Sequence, residues 1–260
     1  MPHLLNVWPS VVERFNWASR TLLLLDYDGT LAPIVSRPEQ AHLPPDTRQL
    51  INDLKDNTRF VLGVISGRSL ADVRDRVGVP DIIYAGNHGL EMEGVGEKFL
   101  HPGALALLDD LDRICQELSH EFNQFAGVII ENKGLTLSVH YRLTPEHLVS
   151  QVEDSFNSVV APGVADQVVK ITRGKKVFEV RPNVEWDKGK AITRIMEVYS
   201  DAPLAAYFGD DLTDEAGFRV VQDAGGIAVF VGPARQPTRA LFRVDSPGEV
   251  ADTLRLLRDL

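Results

Sequence analysis

Two aspartates one residue apart close a short apolar run at Leu22-Leu23-Leu24-Leu25-Asp26-Tyr27-Asp28-Gly29-Thr30. Carboxylates this close repel one another unless a cation lies between them. A hard divalent ion with oxygen ligands meets that need, and beside phosphate the ion is Mg²⁺. Asp26 and Asp28 share parity, so both can turn to one site as a strand frays into its loop. Asp26 is then a candidate nucleophile for a phosphoryl group, and Asp28 a candidate general acid and base. With Asp26 and Asp28 as the first metal ligands, Gly209-Asp210-Asp211 offers Asp210 as a further one, with Asp211 and Asp214 binding directly or through water. Ser66 can hydrogen-bond a phosphoryl oxygen, and Lys188 brings a point charge to nucleophile and phosphate. Phosphoryl transfer is largely positioning and charge neutralisation, and this set supplies both.

Each part alone has a plainer reading. Asp210, Asp211 and Asp214 could be helix-capping acids, Ser66 an ordinary cap, and Lys188 a solvated lysine at a helix start. A calcium loop does not fit the first stretch, because such a loop follows a helix and ends in Glu, whereas Arg37 stands at its twelfth position. The convergence of all the parts on one edge of one sheet is the stronger signal.

That convergence depends on the elements. Leu22–Leu25 reads as a strand buried on both faces, the centre of a parallel sheet whose ligands bind beyond the strands' carboxyl ends. A proline-rich loop from Ala32 to Pro45 follows, containing Ser36, and Asp46 is expected to cap a helix to Asn57. Phe60–Ile65 and Ile82–Ala85 are predicted strands, with a helix capped by Ser69 between them. Leu90–Leu100 reads as a hairpin turning at Gly94-Val95-Gly96.

From Pro102 the pattern changes. Ala104–Phe122 is predicted as one helix with Leu105, Leu108, Leu111, Cys115 and Leu118 on its apolar stripe. Gly127–Lys133 and Leu135–Arg142 read as strands. The second alternates, placing Thr136, Ser138, His140 and Arg142 on an open polar face suited to sugar hydroxyls. A helix at Pro145–Val160 and strands at Gln167–Thr172 and Lys176–Arg181, turning at Arg173-Gly174-Lys175, complete this layer. The parallel pattern then resumes: a helix from Lys188, a strand at Leu204–Phe208, a helix from Thr213, a strand at Ile227–Val231 and a last helix from Pro247. The fold class is therefore α/β, a doubly wound parallel-sheet (Rossmann-like) core of residues 1–101 and 183–260. An α+β domain of residues 102–182 is inserted into it.

At 260 residues with 44% apolar content, the chain can build real cores. A net charge of −10 without basic blocks argues against nucleic acid or an anionic membrane as partner. One cysteine, Cys115, rules out an internal disulfide and fits a reducing compartment. No apolar run approaches the ~20 residues of a membrane span. The expectation is a cytoplasmic protein.

The residues Asp26-Tyr27-Asp28-Gly29-Thr30, Ser66, Lys188 and Gly209-Asp210-Asp211 together resemble the four motifs of haloacid dehalogenase superfamily phosphatases. The resemblance narrows to the trehalose-6-phosphate phosphatase family through Ile65-Ser66-Gly67-Arg68 and Gly86-Asn87-His88-Gly89-Leu90-Glu91. Glu131-Asn132-Lys133-Gly134, His140-Tyr141-Arg142, Glu179-Val180-Arg181-Pro182 and Trp186-x-Lys188-Gly189 extend it. It implies Mg²⁺-dependent hydrolysis of trehalose 6-phosphate, with the inserted domain as a cap that closes over the catalytic crevice. Glu131, Lys133 and Glu179 would grip the distal glucose. Arg68, Asn87, His88 and Arg142 are further substrate-binding candidates, against structural-turn or solvated-face readings. The resemblance leaves room for a functional link to a trehalose-6-phosphate synthase. Alternatives are another sugar phosphatase, such as one for sucrose phosphate, or a non-catalytic phosphosugar-binding regulator. A phosphosugar mutase with a helical cap between Asp28 and Ser66 lacks the intervening residues, and a receiver domain needs no second domain.

Overall fold

The structure is a computed structural model that describes residues 1–35, 37–174, 176–233 and 237–260. Ser36 of the proline-rich loop and Lys175 of the expected turn lie outside the described residues. Two compact units emerge, Met1–Phe99 with Trp186–Leu260, and Leu100–Glu185.

In the first unit, α1 (Trp8–Trp17) leads into β1 (Thr21–Asp26), every residue of which is buried. α2 (Pro45–Asp56), β2 (Phe60–Ile65), α3 (Leu70–Val77), β3 (Ile83–Gly86), β4 (Glu91–Glu93) and β5 (Phe99–Leu100) follow. The second unit holds α4 (Pro102–Leu105), α5 (Leu108–Phe122), β6 (Ile129–Asn132), β7 (Leu137–His140), α6 (Val149–Ala165), β8 (Val169–Gly174) and β9 (Val177–Pro182). α7 (Lys188–Val198), β10 (Leu204–Gly209), α8 (Glu215–Asp223), β11 (Ile227–Val231), β12 (Phe242–Val244) and α9 (Pro247–Arg258) return to the first unit.

The first unit's sheet runs β12-β11-β10-β1-β2-β3-β4-β5. β1 pairs in parallel with β10 on one side and β2 on the other, so the strand order reverses at β1. This is the switch point beyond which ligands bind in open parallel sheets. Alternation along β1 fills two cores. Leu23 and Leu25 pack with α1, α2, α3 and α9, while Leu22 and Leu24 pack with α7 and α8. Each of these leucines, 1% exposed or less, contributes roughly 1.5–3 kcal/mol by leaving water. The parity also decides chemistry: Asp26 continues the Leu22 and Leu24 face, towards the helix that begins at Lys188.

The second unit is a four-stranded antiparallel sheet, β6-β7-β9-β8. α5 and α6 cover one face through Leu111, Ile114, Phe122, Val152 and Phe156. Phe178 stacks between Tyr141 and Phe156 with ring centroids 4.6 and 4.3 Å away.

Several expectations shift. α2 starts at Pro45 with Pro44 at its N-cap, so Asp46 is not the cap; proline suits the first helical turn because its missing N–H costs nothing there. The helix expected at Ala104–Phe122 is two helices, broken after Leu105, and Leu105 is 47% exposed rather than on the apolar stripe. Helix α6 continues past Val160 over Pro162 to Ala165. The short parallel edge strand β12 was not anticipated, because three residues are too few to show a period.

Gly86, which ends β3, has no room for a side chain: a Cβ would lie 2.2 Å from the Leu70 nitrogen and 2.5 Å from its Cα. Gly86→Ala is expected to lower unfolding stability by about 1–3 kcal/mol as α3 is pushed off the sheet. Urea denaturation checks this, and an unchanged midpoint would contradict the packing described.

Candidate active site

Asp26 is the last residue of β1, and Lys188 is the first residue of α7, whose N-cap is Asp187. The Lys188 ammonium, 3% exposed, donates to Asp26 Oδ1 at 2.7 Å and to Asp214 Oδ1 at 2.6 Å. Asp214 is wholly buried and also accepts from the Tyr207 hydroxyl and from the backbone N–H groups of Asp210 and Asp211 at 2.9 and 3.1 Å. Its oxygens are therefore committed to holding the β10–α8 turn and Lys188 in place.

Asp210 differs. Asp26, Asp210 and Asp214 bring one carboxylate oxygen each within 4.8 Å of one another. Glycine is required beside them, since a Cβ on Gly29 (φ +85°) would sit 2.0 Å from Asp210 Oδ2. Burial, with Asp211 and Asp214 adding repulsion, pushes the Asp210 carboxyl up to about 8 against the pull of Lys188. Burial likewise raises Asp26 well above the ordinary carboxylate range, opposed by Lys188 and reinforced by Asp214 and Asp210. A lysine alone does not neutralise this cluster. The surplus negative charge and the all-oxygen donors fit a hard divalent cation held by Asp26 and Asp210.

Asp28 points elsewhere. β1 ends at Asp26, so strand parity no longer governs the next two residues, and a tight turn follows with the Leu31 and Ala32 N–H groups donating to the Tyr27 carbonyl. The Asp28 carboxylate takes both prongs of Arg68, Nε to Oδ2 and Nη2 to Oδ1, each at 2.7 Å. Asp28 thus stands outside the three-carboxylate cluster among the described residues. Asp211 does too: its Oδ1 accepts from the Thr213 N–H and hydroxyl at 2.8 and 2.7 Å, an N-cap role.

Ser66 follows β2 and is 1% exposed; its hydroxyl accepts from the Arg68 N–H at 3.1 Å. Asn87 and His88 both adopt positive φ, 48° and 57°, which non-glycine residues rarely do and which a surrounding structure must enforce. Their N–H groups donate to the carbonyls of Arg68 and Ser66 at 2.7 and 2.8 Å, tying the ends of β3 and β2 together. The Asn87 amide also donates to Glu91 at 2.7 Å.

Asp72, Arg76, Tyr27 and Tyr207 were not anticipated as site residues. Asp72 accepts from Arg68 at 2.7 Å and from Arg76 at 2.8 Å, and so fixes the guanidinium facing Asp28. Arg76 and the Tyr27 hydroxyl both reach the Ala41 carbonyl at 3.0 Å, anchoring the loop after β1. The spacing of Asp72 and Arg76 carried part of the signal, since side chains four apart on a helix meet, whereas Arg68 precedes the N-cap Ser69 and lies off that helix. Tyr207 carried none that separates it from an ordinary core aromatic.

In the second unit, pairing aligns Glu131, Ser138, Glu179 and Thr172 in one row across the sheet. His140 Nε2 lies 3.0 Å from Glu131, and Lys133 lies 3.5 Å from Glu179, which also accepts from Thr172 at 3.2 Å. Thr136 and Ser138 are buried rather than open to solvent. Ser138 is flanked in its row by the longer Glu131 and Glu179 side chains, which alternation along a single strand does not reveal. Arg142 lies in the turn after β7 and is exposed.

Comparison with known proteins follows the same lines. A family model described as trehalose-phosphatase matches residues 24–248. Trehalose-phosphate phosphatase B of Arabidopsis thaliana is 31% identical over 98% of this chain and 71% of its own length. Trehalose-phosphate phosphatase of Mycobacterium bovis is 36% identical over 94% of this chain, which spans only 63% of that relative. The solved C-terminal domain of the C. albicans trehalose-6-phosphate phosphatase superposes with a TM-score of 0.85 at 25% identity, covering 99% of this chain and 98% of that one. A haloacid dehalogenase-like hydrolase from Bacteroides thetaiotaomicron, 14% identical, shares the fold with a TM-score of 0.63 over 92% of this chain and 99% of that one.

The pH dependence of the cluster follows from its charge. A carboxyl held near 8 when folded and near 4 when unfolded weakens the metal-free fold as pH rises through that window, because only the unfolded chain releases its proton freely. A bound cation reverses this. The rise in Tm caused by Mg²⁺ is therefore expected to grow with pH between about 4 and 8 and to shrink sharply in Asp210→Asn. A constant increment across that window would contradict it.

Proposed function

The chain belongs to the trehalose-phosphatase family of the haloacid dehalogenase superfamily, and from that premise we propose that it hydrolyses trehalose 6-phosphate to trehalose and phosphate. The carrying observation is the buried Lys188 ammonium shared by Asp26 and Asp214, with Asp210 alongside, at the sheet's switch point. An Asp26 oxygen, drawn forward by the Lys188 charge, attacks phosphorus. The bond from phosphorus to the sugar oxygen breaks, and an aspartyl phosphate forms. Asp28 gives its proton to the departing sugar oxygen, then takes one from the water that attacks the aspartyl phosphate, which restores Asp26 and frees phosphate.

Asp28 can do this only once Arg68 lets go of it, and a phosphoryl dianion competes for the same guanidinium prongs. Arg68 is accordingly assigned to substrate binding, with Ser66 donating to a phosphoryl oxygen and Asn87 and His88 shaping the adjacent turn. Mg²⁺ held by Asp26 and Asp210, with Asp211 and Asp214 in support, would neutralise charge on the transferring group. The inserted domain, residues 102–182, is proposed to carry specificity, with Glu131, Lys133, Glu179 and Arg142 hydrogen-bonding sugar hydroxyls as a closing cap. The pairs His140–Glu131 and Lys133–Glu179 would exchange partners with those hydroxyls.

The reading places the enzyme in trehalose biosynthesis, downstream of a synthase that makes its substrate. With one cysteine and so no internal disulfide, the cytoplasm is the compartment it assigns. Among the described residues no helix is long and apolar enough to cross a membrane.

Phosphate release over a panel of sugar phosphates, with Mg²⁺ and then with chelator, tests the proposal. Trehalose 6-phosphate should be the best substrate and chelator should stop turnover; a preference for sucrose phosphate would reassign the substrate. Asp26→Asn is expected to reduce kcat by more than about 10⁴-fold, the scale on which a covalent nucleophile acts. Retained turnover would remove Asp26 from that role. Glu131→Ala should raise KM for trehalose 6-phosphate roughly tenfold or more while leaving a small aryl phosphate unaffected. Equal effects on both substrates would count against sugar recognition by Glu131.

A further inference from the structure

At the amino ends of β2 and β3, the far edge of the sheet from Asp26, lies a cavity of about 280 Å³. That is near the lower limit of small-molecule sites, roughly 300 Å³. The length of β2 separates it from the catalytic cluster by roughly 17 Å. Its walls include Arg20, Lys55, Phe60, Asp81, Ile82 and Tyr199, all within the first unit. In a chain of net charge −10, two cations converging on one hollow depart from the surface average.

Neither cation is fully engaged. The Arg20 guanidinium spends Nη1 on Asp201, yet its Nε is buried with no hydrogen-bond partner among the described residues. Lys55 is 20% exposed, and its ion pair is with its sequence neighbour Asp56 at 3.2 Å, where the carboxylate is 70% exposed. Such a pair holds little and leaves the ammonium free to turn inward. Asp81 adds an acceptor for hydroxyl groups, and Phe60 and Ile82 supply apolar surface.

We propose that this cavity is a second ligand site, separate from the catalytic one, for a small hydroxylated phosphate of monosaccharide size. Its anionic head meets the Arg20 guanidinium and Lys55 Nζ, its hydroxyls meet Asp81, and a ring face lies on Phe60 and Ile82. The combination favours a hydroxylated anion over a neutral sugar, which gives neither cation a further partner, and over a bare anion, which brings Asp81 no hydroxyl donor.

Amide chemical-shift mapping of the full ¹⁵N-labelled chain tests the site, with chelator present to stop turnover and glucose 6-phosphate, glucose and inorganic phosphate as ligands. Glucose 6-phosphate is expected to produce saturable shifts at Val61, Leu62 and Ile83 that glucose does not. Lys55→Glu should weaken that binding at least tenfold while shifts at Ser66 and Lys188 match the unmodified chain. Should Lys55→Glu fail to fold, Lys55→Met, which keeps the stem's packing, serves with the same expectation of weakened binding. Shifts confined to the carboxyl edge, or an unchanged Kd in the substituted chain, would overturn the site. Inorganic phosphate binding as tightly as glucose 6-phosphate would overturn the hydroxylated ligand.

Discussion

The shared ammonium of Lys188 is the interaction on which the rest of this structure depends. A lysine removed from water is costly to keep charged, and burial alone would favour its neutral form. Here Asp214 and Asp26 outweigh burial and hold it protonated. Removing the cation would leave two buried carboxylates facing one another, so the ends of β1 and β10 and the start of α7 are locked into one electrostatic unit. Asp214 anchors that unit, because its other contacts are the Tyr207 hydroxyl and two backbone N–H groups of its own turn. Asp26 and Asp210 are left with oxygens to spare for an incoming charge.

A second, more exposed charge system stands next to the first. Asp72 on α3 orients Arg68, which in turn grips Asp28, while Arg76 and Tyr27 pin the loop that follows β1. The two aspartates of the opening motif therefore belong to different networks, one buried against α7 and one half-exposed against α3. The proposed mechanism, with a fixed nucleophile and a mobile proton carrier, rests on that division. Asp26 sits at a strand end beside a buried lysine, and Asp28 is held by the Arg68 guanidinium, for which a phosphate would compete in that proposal.

Much of this was legible in the chain. Uninterrupted apolar runs located β1, β2 and β11, since strands buried on both faces need no polar side. The small residues after them marked the edge where chemistry collects. Lys188 at a helix start and Asp210 after a strand could be placed for the same reason. Asp28 could not, because parity predicts direction only while the strand lasts, and it stops at Asp26. Tyr207 was hidden because a strand tyrosine facing a helix looks like core until its hydroxyl partner is known. In the second unit, alternation identified the apolar face of β7 correctly in Leu137 and Val139. The burial of Thr136 and Ser138 on the opposite face depends on neighbours distant in sequence, which periodicity does not encode.

The most direct test of the central claim is to stop the reaction in acid within its first turnover of trehalose 6-phosphate and map the phosphorylated peptide by mass spectrometry. One acid-stable, alkali-labile phosphoryl group is expected in the peptide containing Asp26, and none when Lys188 is replaced by methionine. Phosphoryl transfer to any other residue, or turnover at full rate in the Lys188→Met chain, would contradict it.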